Sequence, residues 1–170
     1  EFGRKSEITK EKVQVNEPLS KAVEIFSQQL LLRDITVTKE LGENLPPVLA
    51  DANRLEQVFI NLLINARDAI EDRWQGQAPG KADKRIMLTT SVKGERVFIE
   101  VGDTGTGIPD AIKNKIFEPF FTTKKVGKGT GLGLSISYGI IQEYEGTIRV
   151  VSEKPVGTTF IITLPVAGEK

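Results

Sequence analysis

Four glycines occupy alternate positions in the segment GKGTGLGLSIS, residues 127–137, with Lys124 and Lys128 close by. Glycine is unfavourable inside helices and strands, so the repeat needs a separate explanation. Glycine beside lysine often binds phosphate. However, the two Gly-Lys pairs of the chain are not followed by Ser or Thr, and no glycine occupies the sixth position of G-x-G-x-x-G. The segment is therefore either a flexible loop or a nucleotide loop of another kind.

Two asparagines could contribute to a metal site. Asn61 and Asn65, in NLLINARDAI, lie one helical turn apart, and Asp68 falls on the same stripe. An amide oxygen is a hard neutral ligand that suits Mg²⁺ when water and phosphate supply its other ligands. The alternative is that both amides simply face solvent.

A third candidate is DTGTGIP, residues 103–109, which directly follows a predicted strand. The Asp103 carboxylate could accept a hydrogen bond from an exocyclic amine. Gly105 and Gly107 permit positive φ and the close approach of a flat ring, although an ordinary Asp-Gly turn explains the same residues. The aromatic segment IFEPFFTTK, residues 116–124, could anchor a loop or form a small satellite core.

The composition excludes several kinds of chemistry. The 170 residues include 23 Lys plus Arg and 23 Asp plus Glu, but no Cys and no His. The neutral balance gives no global field for nucleic acid or an anionic membrane. Without histidine, Ser-His-Asp catalysis, histidine metal sites and a phosphohistidine on this chain are excluded.

The chain carries no predicted targeting or membrane segment. Its apolar stretches are shorter than the roughly 18–20 residues that span a bilayer. The opening residues EFGRK lack the apolar core of a signal peptide and are typical of a cloning junction. We therefore expect a piece of a longer protein.

Hydrophobic periodicity predicts the elements that hold these residues. Three helices are expected: Pro18 to about Arg33, a helix capped by Asp51 and running to about Trp74, and Gly131 to Tyr144, stopped by Gly146. Strands are expected at 35–41, 85–92, 96–101, 147–152 and 158–164, with a short extended segment at 13–16. This order favours helices layered on one face of a mixed sheet.

Together the motifs closely resemble the N, G1, F and G2 boxes of the ATP-binding catalytic domain of bacterial sensor histidine kinases. GTTFIITLP, residues 157–165, resembles the closing strand of that domain, and the resemblance covers about residues 13–166. It implies the Bergerat fold, an α/β (α+β) two-layer sandwich. That fold has a mixed, mostly antiparallel sheet of about five strands, three main helices on one face and a mobile ATP lid, here at about residues 110–130.

The resemblance also implies roles for individual residues. Asn65 would ligate the Mg²⁺ that bridges the ATP phosphates, and Asn61 would support the metal or the phosphates. Asp103 would accept the adenine amine, and Thr159 or Thr158 would complete the adenine pocket. Further nucleotide contacts would come from Gly105, Gly107, Ile108, Phe121, Lys124, Lys128, Gly129, Thr130, Gly131, Leu132, Gly133 and Leu134.

Two departures from the family pattern affect the expected chemistry. Asp68 stands where many members carry a phosphate-binding lysine, so we expect Lys124 first, then Lys128, to supply positive charge, with Asp68 in a supporting role. Asn61 stands where the hydrolysing relatives place a general-base glutamate. Because an amide cannot take a proton from water, phosphoryl transfer is favoured over hydrolysis.

The implied activity is that of a protein histidine kinase that uses Mg·ATP. The acceptor histidine would lie on a dimerisation domain that is absent here, and a response regulator aspartate would receive the phosphoryl group next.

We expect a linker at 1–12, the catalytic domain at 13–167 and a tail at 168–170, in the cytoplasm, with no nucleic acid or membrane contact. The parent protein would be a homodimer and this piece a monomer. The alternatives are a non-catalytic nucleotide sensor and a clamp ATPase.

Overall fold

The computed structural model describes residues 10–76, 83–119, 133–153 and 157–168. Its helices are α1 (Asn16–Leu32), α2 (Ala52–Trp74) and α3 (Gly133–Glu143), and a short 3₁₀ turn spans Asp110–Ile112. Its strands are β1 (Glu11–Val13), β2 (Thr36–Leu41), β3 (Val48–Ala50), β4 (Arg85–Lys93), β5 (Arg96–Asp103), β6 (Thr147–Glu153) and β7 (Gly157–Pro165).

Five strands form the main sheet, in the order β2-β4-β5-β7-β6. The β2–β4 pair is parallel and the other three pairs are antiparallel, while β1 and β3 form a separate two-stranded sheet. Every second residue of the central strands is buried beneath the helices, as at Ile86, Ile99 and Ile162. The expected two-layer α/β sandwich with a mixed, mostly antiparallel sheet is confirmed.

Helix α2 is the central helix of the covering layer. Asp51 caps it, because its Oδ1 accepts the backbone N–H groups of Asn53 and Arg54 at 2.9 and 3.2 Å. One face carries apolar side chains that are almost fully buried, namely Leu55, Val58, Phe59, Leu62, Leu63, Ala66 and Ile70. The helix packs on α1, α3 and β5. Its other side is left for the polar residues of the site.

Several boundaries differ from those expected. The first strand ends at Val13 instead of beginning there, because Glu11 and Lys12 pair with the unpredicted strand β3. Helix α1 begins at Asn16, two residues before Pro18. The Asn16 side chain attaches this start to its neighbours, since its Nδ2 donates to the Gly42 carbonyl at 2.9 Å and its Oδ1 accepts from Thr90 Oγ1 at 2.8 Å.

The end of α3 uses a different residue from the one expected. Glu145, with φ of 60°, adopts the left-handed conformation, and Gly146 is the residue after it. The Gly146 N–H bonds the Ile141 carbonyl and the Glu145 N–H bonds that of Gln142, which is a Schellman motif. A Cβ on Gly146 would lie 2.3 Å from the Thr163 carbonyl oxygen. Gly146 is therefore required by close packing against β7.

In the part of the chain described, no helix is both long and apolar enough to cross a membrane. The expected lid at about 110–130 is described only as far as residue 119, and the start of the third predicted helix, residues 131 and 132, lies outside the described residues.

Two glycine substitutions test the packing at α3. Gly146→Ala should destabilise the protein by about 3 kcal/mol, since the added methyl group meets β7 backbone. Gly139→Ala is the matched control: Gly139 is exposed inside the same helix, and no atom lies within 4 Å of the added carbon. It should stabilise by about 0.5–1 kcal/mol. Urea unfolding measures both, and equal effects would contradict the assigned packing role.

Candidate functional site

Asp103 is the last residue of β5 and points into the layer between sheet and helices. Its side chain is 6% exposed. In the strand register it pairs with Thr158 on β7, which pairs in turn with Ser152 on β6. The carboxyl group accepts the Gly105 N–H at 2.8 Å and a hydrogen bond from the Thr158 backbone. These three residues therefore form a polar row across one end of the sheet.

Burial controls the protonation of Asp103. Desolvation raises its pKa to about 6, and the hydrogen bonds from the Gly105 and Thr158 backbone offset this only in part. Above that pH the group is an ionised acceptor in a site of low polarity. A ligand with a hydrogen-bond donor, such as an amine, fits this end of the site.

The two glycines after Asp103 have different reasons for being glycine. Gly107 has φ of 80°, as expected. Gly105 does not have positive φ, which corrects the expectation for that residue. Instead, a Cβ on Gly105 would lie 2.5–2.8 Å from Ala69 of α2. The Thr106 N–H also bonds the Ala69 carbonyl at 3.3 Å. Gly105 therefore allows the loop to lie directly on the helix.

Ser152 is a site residue that the sequence analysis missed. Its Oγ accepts the Ile108 N–H at 2.6 Å, and its carbonyl accepts from Lys113 Nζ at 2.8 Å. Lys113 also pairs with the exposed carboxylate of Asp110. Ile108 thus lies beside the sheet end, and the loop after Asp103 is attached to β6. A signal did exist: Ser152 continues the alternation of Ile148 and Val150.

Of the two candidate threonines, Thr158 shares the site with Asp103. Thr159 pairs with Gly102 and lies on the opposite face of the sheet, so of the two threonines expected for the pocket it is Thr159 that faces away from Asp103. Because neighbouring residues of a strand face opposite sides, only one of the pair can face the helices. Gly157 was also missed. A Cβ there would lie 2.2 Å from the Asp103 carbonyl oxygen.

The second half of the site lies between α2 and α3. Asn61 Nδ2 bonds the Gly133 carbonyl at 3.3 Å and Ser137 Oγ at 3.2 Å, and its Oδ1 accepts from Gln57. Asn65 is half-buried, and no hydrogen bond from its side chain to another described residue is present. The Asn65 amide oxygen is thus available to a partner from outside the chain, such as a metal ion.

Asp68 pairs with Arg67 at 2.9 Å, and the Arg67 guanidinium lies over the Phe26 ring of α1. The expected supporting role of Asp68 at the nucleotide site stays a prediction. Gly133 opens the described part of α3, and Leu134 packs against the core. The remaining expected contacts, Phe121, Lys124, Lys128, Gly129, Thr130, Gly131 and Leu132, lie outside the described residues.

The described part of the aromatic segment packs on both layers. Ile116 is buried, and the Phe117 ring stacks on Tyr138 of α3 at 5.3 Å and meets Phe160 of β7 edge-on at 6.3 Å. The expectation that this cluster anchors a loop is supported by these contacts.

Comparison with known proteins agrees with this geometry. Residues 50–168 match the family of histidine kinase-, DNA gyrase B- and HSP90-like ATPases. The sensor kinase CckA of Brucella abortus is 41% identical over 96% of this chain, which spans only 18% of the length of that protein. Curated relatives of this kind are thus several times longer than the chain.

Solved structures narrow the family further. The nucleotide-free catalytic domain of the histidine kinase ThkA is 32% identical, with a TM-score of 0.77 over 92% of this chain and 95% of that one. Full-length ShkA in complex with AMPPNP is 30% identical, with a TM-score of 0.79 over 95% of this chain and 32% of that one. The chain therefore belongs to the histidine kinase-, DNA gyrase B- and HSP90-like ATPases, and among them to the catalytic domains of histidine kinases.

Proposed function

We propose that this domain binds Mg·ATP and transfers the γ-phosphoryl group to a histidine on a separate dimerisation domain, for relay to a response regulator aspartate. The observation that carries the proposal is the buried Asp103 carboxyl at the end of β5, followed by a loop that packs against α2 at Ala69, one helical turn from Asn65. An amine acceptor and a metal ligand are thereby held at opposite ends of one site.

The adenine end selects by hydrogen-bond polarity. The Asp103 carboxylate accepts the exocyclic amine of adenine, whereas guanine carries a carbonyl oxygen at that position. If guanine entered this site, its carbonyl oxygen would face the Asp103 carboxylate, and both acceptors would lack a hydrogen bond. Buried polar groups that are left unpaired are the strongest basis on which a site rejects an analogue. Gly107 and Ile108 line this end, and Thr158 replaces Thr159 as the threonine of the pocket.

The residues present fit a magnesium ion. Asn65 offers a hard, neutral and available oxygen, which suits a metal whose other ligands are phosphate and water. Magnesium bound there would offset the charge that develops on the γ-phosphoryl group during transfer. Asn61 holds the first turn of α3 through Gly133 and Ser137. Lys124 and Lys128 are the residues that we expect to supply further positive charge to the phosphates.

The acceptor must come from outside this chain, since it contains no histidine. A structure of ThkA in complex with the response regulator TrrA, 31% identical with a TM-score of 0.72, supports the assignment of the relay partner.

Because the donor is ATP, we place the domain in the cytoplasm, within a homodimeric parent protein. The pairing of β1 with β3 extends the proposed domain to residues 11–167.

Asn61 disfavours the clamp ATPase alternative, because its amide cannot act as a general base. A regulatory domain that binds nucleotide without transferring phosphate has the same site geometry, so the transfer experiment below separates the two.

Asp103→Asn should abolish ATP binding and also stabilise the protein at pH 8. In the wild type the pKa of Asp103 lies at about 6, above its ordinary 3.8. The folded state therefore binds more protons between these values, and stability falls by about 3 kcal/mol as pH rises through this window. Asparagine does not ionise, so the variant keeps its stability as the pH rises. Its free energy of unfolding at pH 8 should be roughly 1–2 kcal/mol higher than that of the wild type. Calorimetric titration and urea unfolding at pH 4 and 8 measure both effects.

The control for this prediction is Asp110→Asn, on the same loop. Asp110 is exposed, and the Lys113 ammonium lowers its pKa, so its small stabilisation is present at high pH and is lost on acidification. A wild type whose stability rises between pH 4 and 6 relative to Asp103→Asn would contradict the assigned cause.

Asn65→Ala tests the metal role. With Mg²⁺ present the variant should bind ATP about tenfold more weakly, because one metal ligand is lost, whereas binding in EDTA should be unchanged. Asn53→Ala, an exposed residue near the start of the same helix, should bind as the wild type does in both conditions. An equal loss of affinity with and without Mg²⁺ would reassign Asn65 to direct nucleotide contact.

Phosphoryl transfer is tested by mixing the domain with the histidine-bearing dimerisation domain of its parent protein and γ-labelled ATP. Label should appear on that partner in an acid-labile, base-stable form, and the domain alone should release little phosphate. Normal ATP binding without transfer would favour the nucleotide-sensing alternative, and steady hydrolysis by the domain alone would favour a clamp ATPase.

A further inference from the structure

We propose that Ser152 is a positioning residue for adenine recognition: its hydroxyl fixes both the Ile108 backbone and the direction of the Thr158 hydroxyl proton. The inference rests on the proposed ATP site and adds to it a residue that makes no nucleotide contact of its own.

The Ser152 hydroxyl lies at the centre of a small hydrogen-bond network. Its Oγ is 2.6 Å from the Ile108 nitrogen, 3.0 Å from the Gly157 carbonyl oxygen and 2.9 Å from Thr158 Oγ1. Ser152 and Thr158 are direct partners in the β6–β7 register, and Thr158 is the direct partner of Asp103 in the β5–β7 register. The network therefore continues the polar row that contains the adenine acceptor.

Counting donors assigns the protons of this network. The Ile108 N–H can only donate, so Ser152 Oγ accepts there. The Gly157 carbonyl can only accept, so the single Ser152 proton goes to it. The remaining contact then requires Thr158 to donate its proton to Ser152. This arrangement satisfies all three contacts of Ser152 Oγ. If Ser152 donated its proton to Thr158 instead, that proton would not be available to the Gly157 carbonyl.

The consequence is a fixed polarity at the base. With its proton directed at Ser152, Thr158 Oγ1 offers only lone pairs to other partners. Asp103 is likewise an acceptor when ionised. The Asp103 and Thr158 side chains thus present acceptors alone, which favours an amine or its bridging water and disfavours a carbonyl oxygen. Without the Ser152 hydroxyl the Thr158 proton would be free to turn, and part of the discrimination against guanine would be lost.

Ser152 also holds the loop that lines the base. The 2.6 Å bond to the Ile108 N–H and the Lys113 bond to the Ser152 carbonyl attach the loop to β6 at one residue. A side-chain substitution removes the first bond and leaves the second in place. The hydroxyl can therefore be tested separately from the loop anchor as a whole.

The test uses an isosteric pair, Ser152→Thr and Ser152→Val. Both side chains are β-branched and suit a strand, and they differ only in the hydroxyl. Ser152→Thr should bind ATP and ADP within about twofold of the wild type. Ser152→Val should bind both about tenfold more weakly, by the same factor, because they share the adenine. The ratio of its affinities for ATP and GTP should be smaller than in the wild type. The KM for ATP should rise while kcat stays unchanged.

A second readout needs no nucleotide. Hydrogen exchange of the Ile108 amide should be faster in Ser152→Val than in Ser152→Thr. Val151→Thr is the control, since Val151 is 56% exposed on the opposite face of the same strand. It should change neither measurement. If Ser152→Val does not fold, the smaller Ser152→Ala replaces it as the variant without a hydroxyl.

The possible failures are distinguishable. If the wild type binds no ATP, the proposed function fails and the Ser152 role fails with it. If the wild type binds ATP, and the threonine and valine variants bind equally, the Ser152 role is overturned and the ATP site stands. Weaker binding without faster Ile108 exchange also overturns the role, since the hydroxyl would then act elsewhere.

Discussion

The contact between Gly105 and Ala69 determines how the two halves of the site relate to each other. A side chain at residue 105 would overlap the helix, and the Thr106 N–H bonds the Ala69 carbonyl. One turn later, Arg73 Nη1 bonds the Thr104 carbonyl at 3.0 Å. Asp103 precedes this loop, and Asn65 lies one turn before Ala69, a rise of about 6 Å along the axis. The separation between Asp103 and Asn65, the proposed base acceptor and the proposed metal ligand, is thus set by backbone packing.

A buried carboxyl at the end of β5 has a cost for the fold. Its raised pKa means that its ionised form is disfavoured in the folded state, although two backbone hydrogen bonds compensate in part. An amide or a small apolar residue at this position would suit stability better. A site that reads an amine needs the carboxylate, and local rules are often broken at functional positions for this reason.

Much of the architecture could be predicted because it follows from local periodicity. The apolar face of α2, the alternation of β4, β5 and β6, and the apolar run of β7 predicted these elements to within about two residues. Strand β3 could not be predicted, since three residues carry too little pattern and its pairing with β1 exists only in the folded chain. The parallel pairing of β2 with β4 likewise depends on how α2 crosses the sheet.

The site was predicted less completely than the fold, for particular reasons. Asp103, Gly107 and Ile108 could be recognised from their motif, and Asp103 does end its strand. Thr158 and Thr159 could not be separated, because apolar residues fill both faces of β7 and obscure its alternation. Ser152 belongs to no motif. The alternation of Ile148 and Val150 assigns it to the helix-facing side of β6, but its pairing with Thr158 depends on the β6–β7 register, which no local signal specifies.

The asparagine at 61 connects the catalytic question to the packing of α3. Its Nδ2 donates to the Gly133 carbonyl and to Ser137, so the structure uses the amide as a donor. A glutamate or aspartate here would offer only acceptors when ionised and would face a carbonyl oxygen. Residue 61 therefore cannot both act as a general base for hydrolysis and donate the hydrogen bonds that attach α3. The same amide that cannot activate water holds the helix whose first backbone N–H groups favour an anion. This arrangement supports the proposed transfer of the phosphoryl group to a nucleophile supplied from outside.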